Sequence, residues 1–585
     1  MYYNTIYREV IRLRLQISKS ANAASFYVVK SAYVNKKRRS VIVEKLGTDK
    51  YICKTYGVDD AEAWARAHVE ELNRNAAKEE SKIDISFSPV ISIPKNEKRS
   101  FNAGYLFLQK IFYDLGLHSI CTMIRRRHKF DYDLTSILSR LLYARIIFPS
   151  SKRSTCELSK RFIEAPSFEL HQIYRALSVL ADESDYIQSA LYKNSIRYVQ
   201  RKTGIIYYDC TNYYFEIEEE SGNRKYGHSK EHRPNPIIQM GLFMDREGIP
   251  LAFCINPGNT NEQTTLRPLE QKLLSEFSMS QFVVCTDAGL SSIDNRLFNN
   301  KDGRAFITVQ SLKTLKSFQR EWALEKSGWR IMGEGSAVYD LTKINEEEYN
   351  ETTFYKERWF KENGIEQRMI VTYQIKYRDY LKNVRKGQIE RAKSKVDHPS
   401  SLKRKNQQDP ARFIGRESMT FDGEAADRDI YYINEEMITQ EELYDGFYAV
   451  CTNLDEDASA KEIVSINKRR WRIEECFRIM KHELQARPAF LSRDDRIKAH
   501  FMTCFISLIL YRFLEKKLNG KYTPSEIISC LRDMNMTKLE GYGYIPSYER
   551  TDLTDELHSI FGWDTSKEIV SMSGMRNICK RSKNR

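Results

Sequence analysis

Residues 204–216 read GIIYYDCTNYYFE, residues 237–255 read IIQMGLFMDREGIPLAFCI, and residues 282–289 read FVVCTDAG. Short runs of Ile, Val, Tyr and Phe between turn residues predict strands of one sheet. The DREG and GIP elements between residues 245 and 250 predict a tight hairpin between two antiparallel strands. Asp209 closes the first run, and Asp287 closes the third before the sharp exit Ala288-Gly289. Acids at the ends of buried strands come together at one edge of a sheet. A last strand, GFYAVCT at 446–452, precedes a helix from about 460 to 485.

The 585 residues predict several compact units. The hydrophobic share of 41% is ordinary globular usage, and the aromatic share of 12% argues against long disorder. Upstream of the sheet, residues 25–48 alternate in short apolar bursts around NKKRR, which reads as a loop between two strands of a small β module. Residues 1–40 hold nine Lys or Arg against the single acid Glu9. From Asp59 to Glu80 the chain has strong helix formers and no Gly or Pro, and Pro89 and Pro94 then mark a linker. Three segments between 100 and 200 repeat apolar residues at three-to-four spacing and predict helices. The apolar run Phe501–Leu510 is about half the roughly 20 residues a bilayer helix needs, so it reads as a buried core helix.

The formal net charge is +14, which suits a polyanionic partner. Residues 376–405 carry eleven Lys or Arg against three acids, a stretch suited to tracking DNA. The eleven cysteines are scattered without a CxxC pair, which fits a reducing compartment. The amino end has no uninterrupted apolar core of a signal peptide. No Walker-type loop occurs, so ATP is not implied. His228 and His232 stand four apart but lack the cysteine pair of a zinc site. Cys210, beside Asp209, reads as a buried strand cysteine rather than a nucleophile.

A third acid, Glu474, lies within KEIVSINKRRWRIEECFRIMKHEL. On one continuous helix at about 100° per residue, Asn467, Arg470, Glu474 and Lys481 share an arc of about 60° bordering the apolar stripe. Three carboxylates suit two Mg²⁺ ions, or Mn²⁺, acting on a phosphodiester, with the bases on the phosphates. Among 79 acids, however, three can always be chosen.

Asn467, Arg470, Glu474 and Lys481 stand at the spacing of the signature Tyr-x2-Arg-x3-Glu-x6-Lys, with Asn467 in place of the tyrosine. With RRWRIEECFRIMK, YYDCTNYYFE, YGHSKEHRPNPIIQMGLFMDREGIPLAFCINPGNTNE, VVCTDAGLSSIDN, SAYVNKKRRSVIVEKLG, LGL and FPSSK, the chain resembles bacterial DDE transposases of the insertion-sequence-four superfamily, in particular the 1634-like branch. The resemblance implies an α/β fold: a ribonuclease-H-like core, a mixed sheet flanked by helices, interrupted by a β-rich insertion and preceded by a small β module and a helical region. The corresponding spans are a DNA-binding β module at 1–58, helix and linker at 59–99, helices at 100–200, core at 201–300 and 446–535, insertion at 301–445, and a tail at 536–585.

The resemblance further implies that Asp209, Asp287 and Glu474 are the catalytic and metal-binding triad, and that Arg470 and Lys481 contact phosphates at the element ends. Asn467 can hydrogen-bond a phosphate but offers no ring for the hairpin step of relatives. Relatives stack a flipped base on an aromatic of the insertion, for which Trp322, Trp329 and Trp359 are available. His228, Lys230 and Arg233 are expected close to DNA. The expected activity is cut-and-paste transposition, with double-stranded DNA (terminal inverted repeats and target) as partner, a homodimer in a synaptic complex, no membrane, and a bacterial cytoplasmic location on the nucleoid. A domesticated, inactive DNA-binding protein is the alternative, and a plain nuclease of the same fold a third.

Overall fold

The computed structural model describes residues 13–20, 23–34, 37–80, 85–396, 409–417 and 429–584. Its contacts divide the chain into two units, Met1–Glu97 and Lys98–Arg585. In the first, β1 (Arg14–Ser20), β2 (Ala23–Val34) and β3 (Lys37–Thr48) form an antiparallel sheet followed by α1 (Asp49–Tyr56) and α2 (Ala61–Glu80). Phe26 and Val28 of β2, Leu46 of β3, Ile52 of α1 and Ala65 and Val69 of α2 make its core. Thr48 caps α1 by accepting from the Tyr51 amide, and Gly57 ends it in the left-handed region. The β2–β3 hairpin falls on the NKKRR cluster, although its tip at 35–36, like residues 1–12, lies outside the described residues.

The second unit opens with β4 (Ser100–Asn102) and six helices: α3 (Tyr105–Asp114), α4 (Leu117–Arg127), α5 (Leu134–Ile147), α6 (Lys152–Leu158), α7 (Leu170–Asp182) and α8 (Ser184–Tyr198). The central sheet then begins with β5 (Ile205–Tyr214), β6 (Ile237–Asp245) and β7 (Pro250–Pro257). After α9 (Leu266–Glu276) come β8 (Val283–Thr286), α10 (Ile293–Phe298) and β9 (Ala305–Gln310). The DREG hairpin joins β6 to β7, with Gly248 at a φ of 84° that side chains resist.

Next come α11 (Ser317–Leu324), β10 (Arg330–Ile331), β11 (Phe354–Glu362), β12 (Ile365–Tyr373), α12 (Ile375–Val396), β13 (Ile414–Glu417), β14 (Ile430–Ile433), α13 (Glu435–Glu442) and β15 (Phe447–Thr452). Nine strands form one sheet in the order β10-β11-β12-β15-β9-β8-β5-β6-β7. Only β5–β8 and β8–β9 pair in parallel. Strands β10–β12 thus extend the central sheet through β15, whereas α12, β13, β14 and α13 surround a small core of Ala392, Phe413 and Ile438.

The chain closes with α14 (Ala460–Lys468), α15 (Trp471–Lys481), α16 (Asp494–Lys517), α17 (Pro524–Asp533), β16 (Asn535–Leu539), β17 (Gly543–Pro546), α18 (Asp552–Phe561), β18 (Val570–Ser571) and α19 (Met572–Arg581). Helix α16 is long and apolar enough to cross a membrane by length and composition, yet it is buried within this unit, packed on α3, α5, α7, α15 and β7. Residues from 535 onward fold back, so that β18, β17 and β16 form a sheet with β4.

Candidate functional site

Strand β5 carries Asp209 in its middle, not at its end as its sequence reads, because pairing with β6 continues from Ile206 to Tyr214. Strand β8 stops at Thr286, and Asp287 caps the turn that follows by accepting from the Leu290 amide at 3.0 Å. The parallel register of β5 and β8 pairs Ile205 with Val283, Ile206 with Val284 and Tyr207 with Cys285. This constant offset of 78 residues (283 − 205) also separates Asp209 from Asp287, which therefore face each other just past the last pair. Burial pushes the Asp209 carboxyl up to about 6; Lys230 lowers it, and the neighbouring Asp287 raises it further.

The segment from Gly227 to Arg233 lies alongside. A side chain at 227 would strike the Gly258 carbonyl, so only glycine allows this approach. Asn212 of β5 holds the segment at two points: its amide donates to the His228 carbonyl at 2.9 Å, and its oxygen accepts from the Lys230 amide at 3.2 Å. The Lys230 ammonium donates to the Cys210 carbonyl and pairs with Glu262 at 3.2 Å. The Arg233 guanidinium stacks 4.9 Å from the Tyr214 ring centre. His228 and Arg233 are exposed.

The single helix expected around Glu474 is two helices. Between Ile466 and Ile473, backbone bonds run to the third residue back: Arg469 to Ile466, Arg470 to Asn467, Arg472 to Arg469 and Ile473 to Arg470. This tighter winding shifts the angular phase, so the arc predicted for 467–481 does not hold. Asn467, at the end of α14, is buried against the sheet, where it donates to the Tyr448 hydroxyl at 2.9 Å. Arg470 begins α15 with one buried terminal nitrogen unpaired among the described residues, and its charge reaches Asp209 and Tyr448. Glu474 is exposed and lines a cavity of about 310 Å³ with Asn467, Arg470, Trp471, Tyr448 and Tyr377. Lys481 pairs with Glu231 at 3.0 Å; burial, and then the charge of Lys230, pull it down to about 8.

Asp209 and Asp287 are hard oxygen donors, and a divalent cation beside them would offset the burial and the Asp287 charge that raise Asp209. The pair therefore fits Mg²⁺ or Mn²⁺. Glu474 is not gathered with them: among the described residues, no three His, Cys, Asp or Glu side chains stand close enough to hold a metal ion.

Of the three tryptophans of 301–445, Trp329 is fully buried and donates to the Glu325 carbonyl, while Trp322 and Trp359 are half-buried. Trp471, not singled out by its sequence, is exposed beside Arg470. The basic run at 376–405 forms α12 up to Val396, and much of its charge is answered: Lys376 pairs with Glu351, Arg378 with Glu346, Arg385 with Asp445 and Lys395 with Asp409. Residues 397–408 lie outside the described residues. The supporting residues Asn212, Glu231, Glu262 and Tyr448 were missed. Asn212 alone left a signal, a carboxamide just before the aromatic run Tyr213-Tyr214-Phe215.

The mixed sheet with helices packed against it makes the second unit an α/β protein, and acids meet across its central parallel strands. The chain belongs to the transposase DDE domain family, whose model matches residues 210–510, just over half of its length. The match begins immediately after Asp209 and includes Asp287 and Glu474. That family implies a ribonuclease-H-like core. No curated protein matches the chain. Among solved structures, it matches one described as the cryo-EM structure of a piggyBac transposase synaptic complex with hairpin DNA, at 8% identity and a TM-score of 0.35, over 83% of this chain and 88% of that one.

Proposed function

We propose that this chain is a cut-and-paste DNA transposase of the insertion-sequence-four superfamily, 1634-like branch, acting as a dimer on paired element ends in the bacterial cytoplasm. The observation that carries the reading is the Asp209–Asp287 pair across β5 and β8 in a chain of the transposase DDE family. In this reading the ribonuclease-H-like core comprises β5 to β9 with α15, and the basic β module at 1–58 binds DNA.

Asp209, Asp287 and Glu474 would hold Mg²⁺ or Mn²⁺, which supplies positive charge to the attacking and leaving oxygens of the phosphodiester. The chain's own residues position the DNA. Arg470 would offer its unpaired nitrogen to a phosphate beside Glu474, Lys230 and Lys481 would meet the strand near Asp209, and the exposed His228 and Arg233 would extend that contact. A phosphate arriving at Lys481 would restore the charge that burial weakens. Glu474 completes the triad only by moving toward the two aspartates, and bound DNA is the natural agent of that movement.

The test is a donor plasmid carrying the gene with its native flanking DNA, scored for excision and insertion in a bacterial host. Movement with wild type and not with Glu474→Ala is the expected result; movement with both would remove Glu474 from the active site. A second reading, a domesticated DNA-binding protein without chemistry, draws on the separation of Glu474 from the aspartates. It predicts movement with neither chain and DNA binding indifferent to EDTA.

A further inference from the structure

Away from the aspartates, the end of α5, the start of α6 and the segment after α15 enclose a cavity of about 190 Å³. Its polar lining includes Arg145, Ser150, Ser151, Lys152, Arg487 and His500, and among the described residues no carboxylate lines it. Lys152 is 5% exposed, and no described acid pairs with it; the charge that acts on it is that of Arg145. Arg145, 4% exposed, spends Nη1 on the Leu484 and Gln485 carbonyls and Nη2 on the Ser150 carbonyl, and its Nε has no partner among the described residues. His500 gives one ring nitrogen to the Ala486 carbonyl at 2.9 Å. Burial, and then Arg145, pull the Lys152 ammonium down to about 7.

A buried cation without a counter-charge is costly, and two side by side cost more. An anion supplied from outside would remove that cost. The space exceeds the roughly 30 Å³ share of a water molecule several-fold, enough for a phosphate group. One side of the rim is apolar: Pro488, Ala489 and Leu491 are half-buried, and Phe490 is 72% exposed. A charged floor under a partly apolar rim suits a phosphate carried on an organic body better than a free ion. Arg487, at the mouth, also contacts Glu231, which pairs with Lys481, whose charge feels Asp209, so ion pairs link this cavity to the surroundings of the aspartates.

We propose that the cavity lined by Arg145, Lys152, Arg487 and His500 seats a phosphate group of a DNA strand and anchors the duplex near the aspartates. That the cavity takes phosphate stands on its own residues; that DNA carries the phosphate rests on the transposase reading.

The test uses the full-length protein and needs no cleavage. Thermal unfolding is followed in sodium phosphate and in sodium chloride of equal ionic strength, and duplex binding is measured by fluorescence anisotropy across a salt series. Wild type, Lys152→Met and Lys152→Gln are compared, the glutamine variant serving should the methionine fail to fold. The expected results are that phosphate raises the Tm of wild type alone, that each variant in chloride melts no lower than wild type, and that each variant binds the duplex about tenfold more weakly. The salt slope of each variant should fall by about 0.9, the loss of one phosphate contact. A wild-type Tm indifferent to phosphate, with unchanged duplex binding by the variants, overturns the site. A phosphate effect lost in the variants with duplex binding unchanged overturns DNA as the source and assigns free phosphate or a nucleotide, leaving the transposase reading to its own test.

Discussion

Asp209 faces Asp287 because β5 and β8 pair in parallel with a constant offset of 78 residues, the separation of the two acids themselves. A slip of one residue would turn one carboxylate to the opposite face of the sheet. The juxtaposition is thus a property of the backbone register, and side-chain replacement should leave it in place. Asp209→Asn and Asp287→Asn are expected to fold and to bind end DNA within a few-fold of wild type. Cleavage of the same duplex should fall by at least about 10²-fold, the scale of losing one charged transition-state contact. EDTA should reproduce this pattern in wild type. A variant that cuts at the wild-type rate would exclude its aspartate from the chemistry.

Much of this was legible in advance, and the failures are physical. The β6–β7 hairpin and the strand before Asp287 follow from turn residues and β-branched runs, which act locally. Asp209 was misplaced because a strand buried on both faces gives no periodic signal for where it stops, so a polar residue looks like an end. Asn467 shares a face with Glu474 only if one continuous helix runs through both. Nothing in KRRW announces tighter winding between Ile466 and Ile473. Glu231, Glu262 and Tyr448 escaped because each acts across a long sequence separation.

The Asn467–Tyr448 contact predicts the outcome of placing at position 467 the tyrosine of the signature that this segment resembles. Position 467 is 4% exposed, and its amide meets the Tyr448 hydroxyl at 2.9 Å with Cys285 also close by. Asn467→Tyr should therefore destabilise by about 1–3 kcal/mol through overpacking and gain no cleavage. Tyr448→Phe strands the Asn467 amide and should cost about 1–3 kcal/mol. Urea unfolding midpoints measure both. A more active, equally stable Asn467→Tyr protein would show that the site has room for the ring.

Arg201 and Asp245 form a buried ion pair at 2.7 Å, each side chain essentially inaccessible. Arg201 also donates to the carbonyls of Ile249 and Pro250, and Asp245 accepts from the amides of Glu247 and Ile249. The pair thus clamps the β6–β7 hairpin to the end of the helical region. Asp245→Ala leaves the guanidinium without its counter-charge and should cost about 3–5 kcal/mol. A loss below about 1 kcal/mol in urea unfolding would mean that the carbonyls alone satisfy Arg201.

Glu270 gives the chain a pH dependence unrelated to its chemistry. The side chain is inaccessible: one oxygen accepts from Asn299 at 2.8 Å, and the other has no partner among the described residues. Burial raises its carboxyl to about 7. Between about pH 4.5 and 7, the unfolded chain releases this proton while the folded one keeps it, so the contribution of Glu270 to stability falls as pH rises. The cost is complete above pH 7, at about 3 kcal/mol or less. Glu270→Gln keeps the acceptor for Asn299 and removes the charge. Its unfolding free energy should match wild type near pH 4 and exceed it by about 2 kcal/mol at pH 8. Equal stability at both values would mean that the folded protein accommodates the ionised carboxylate without penalty.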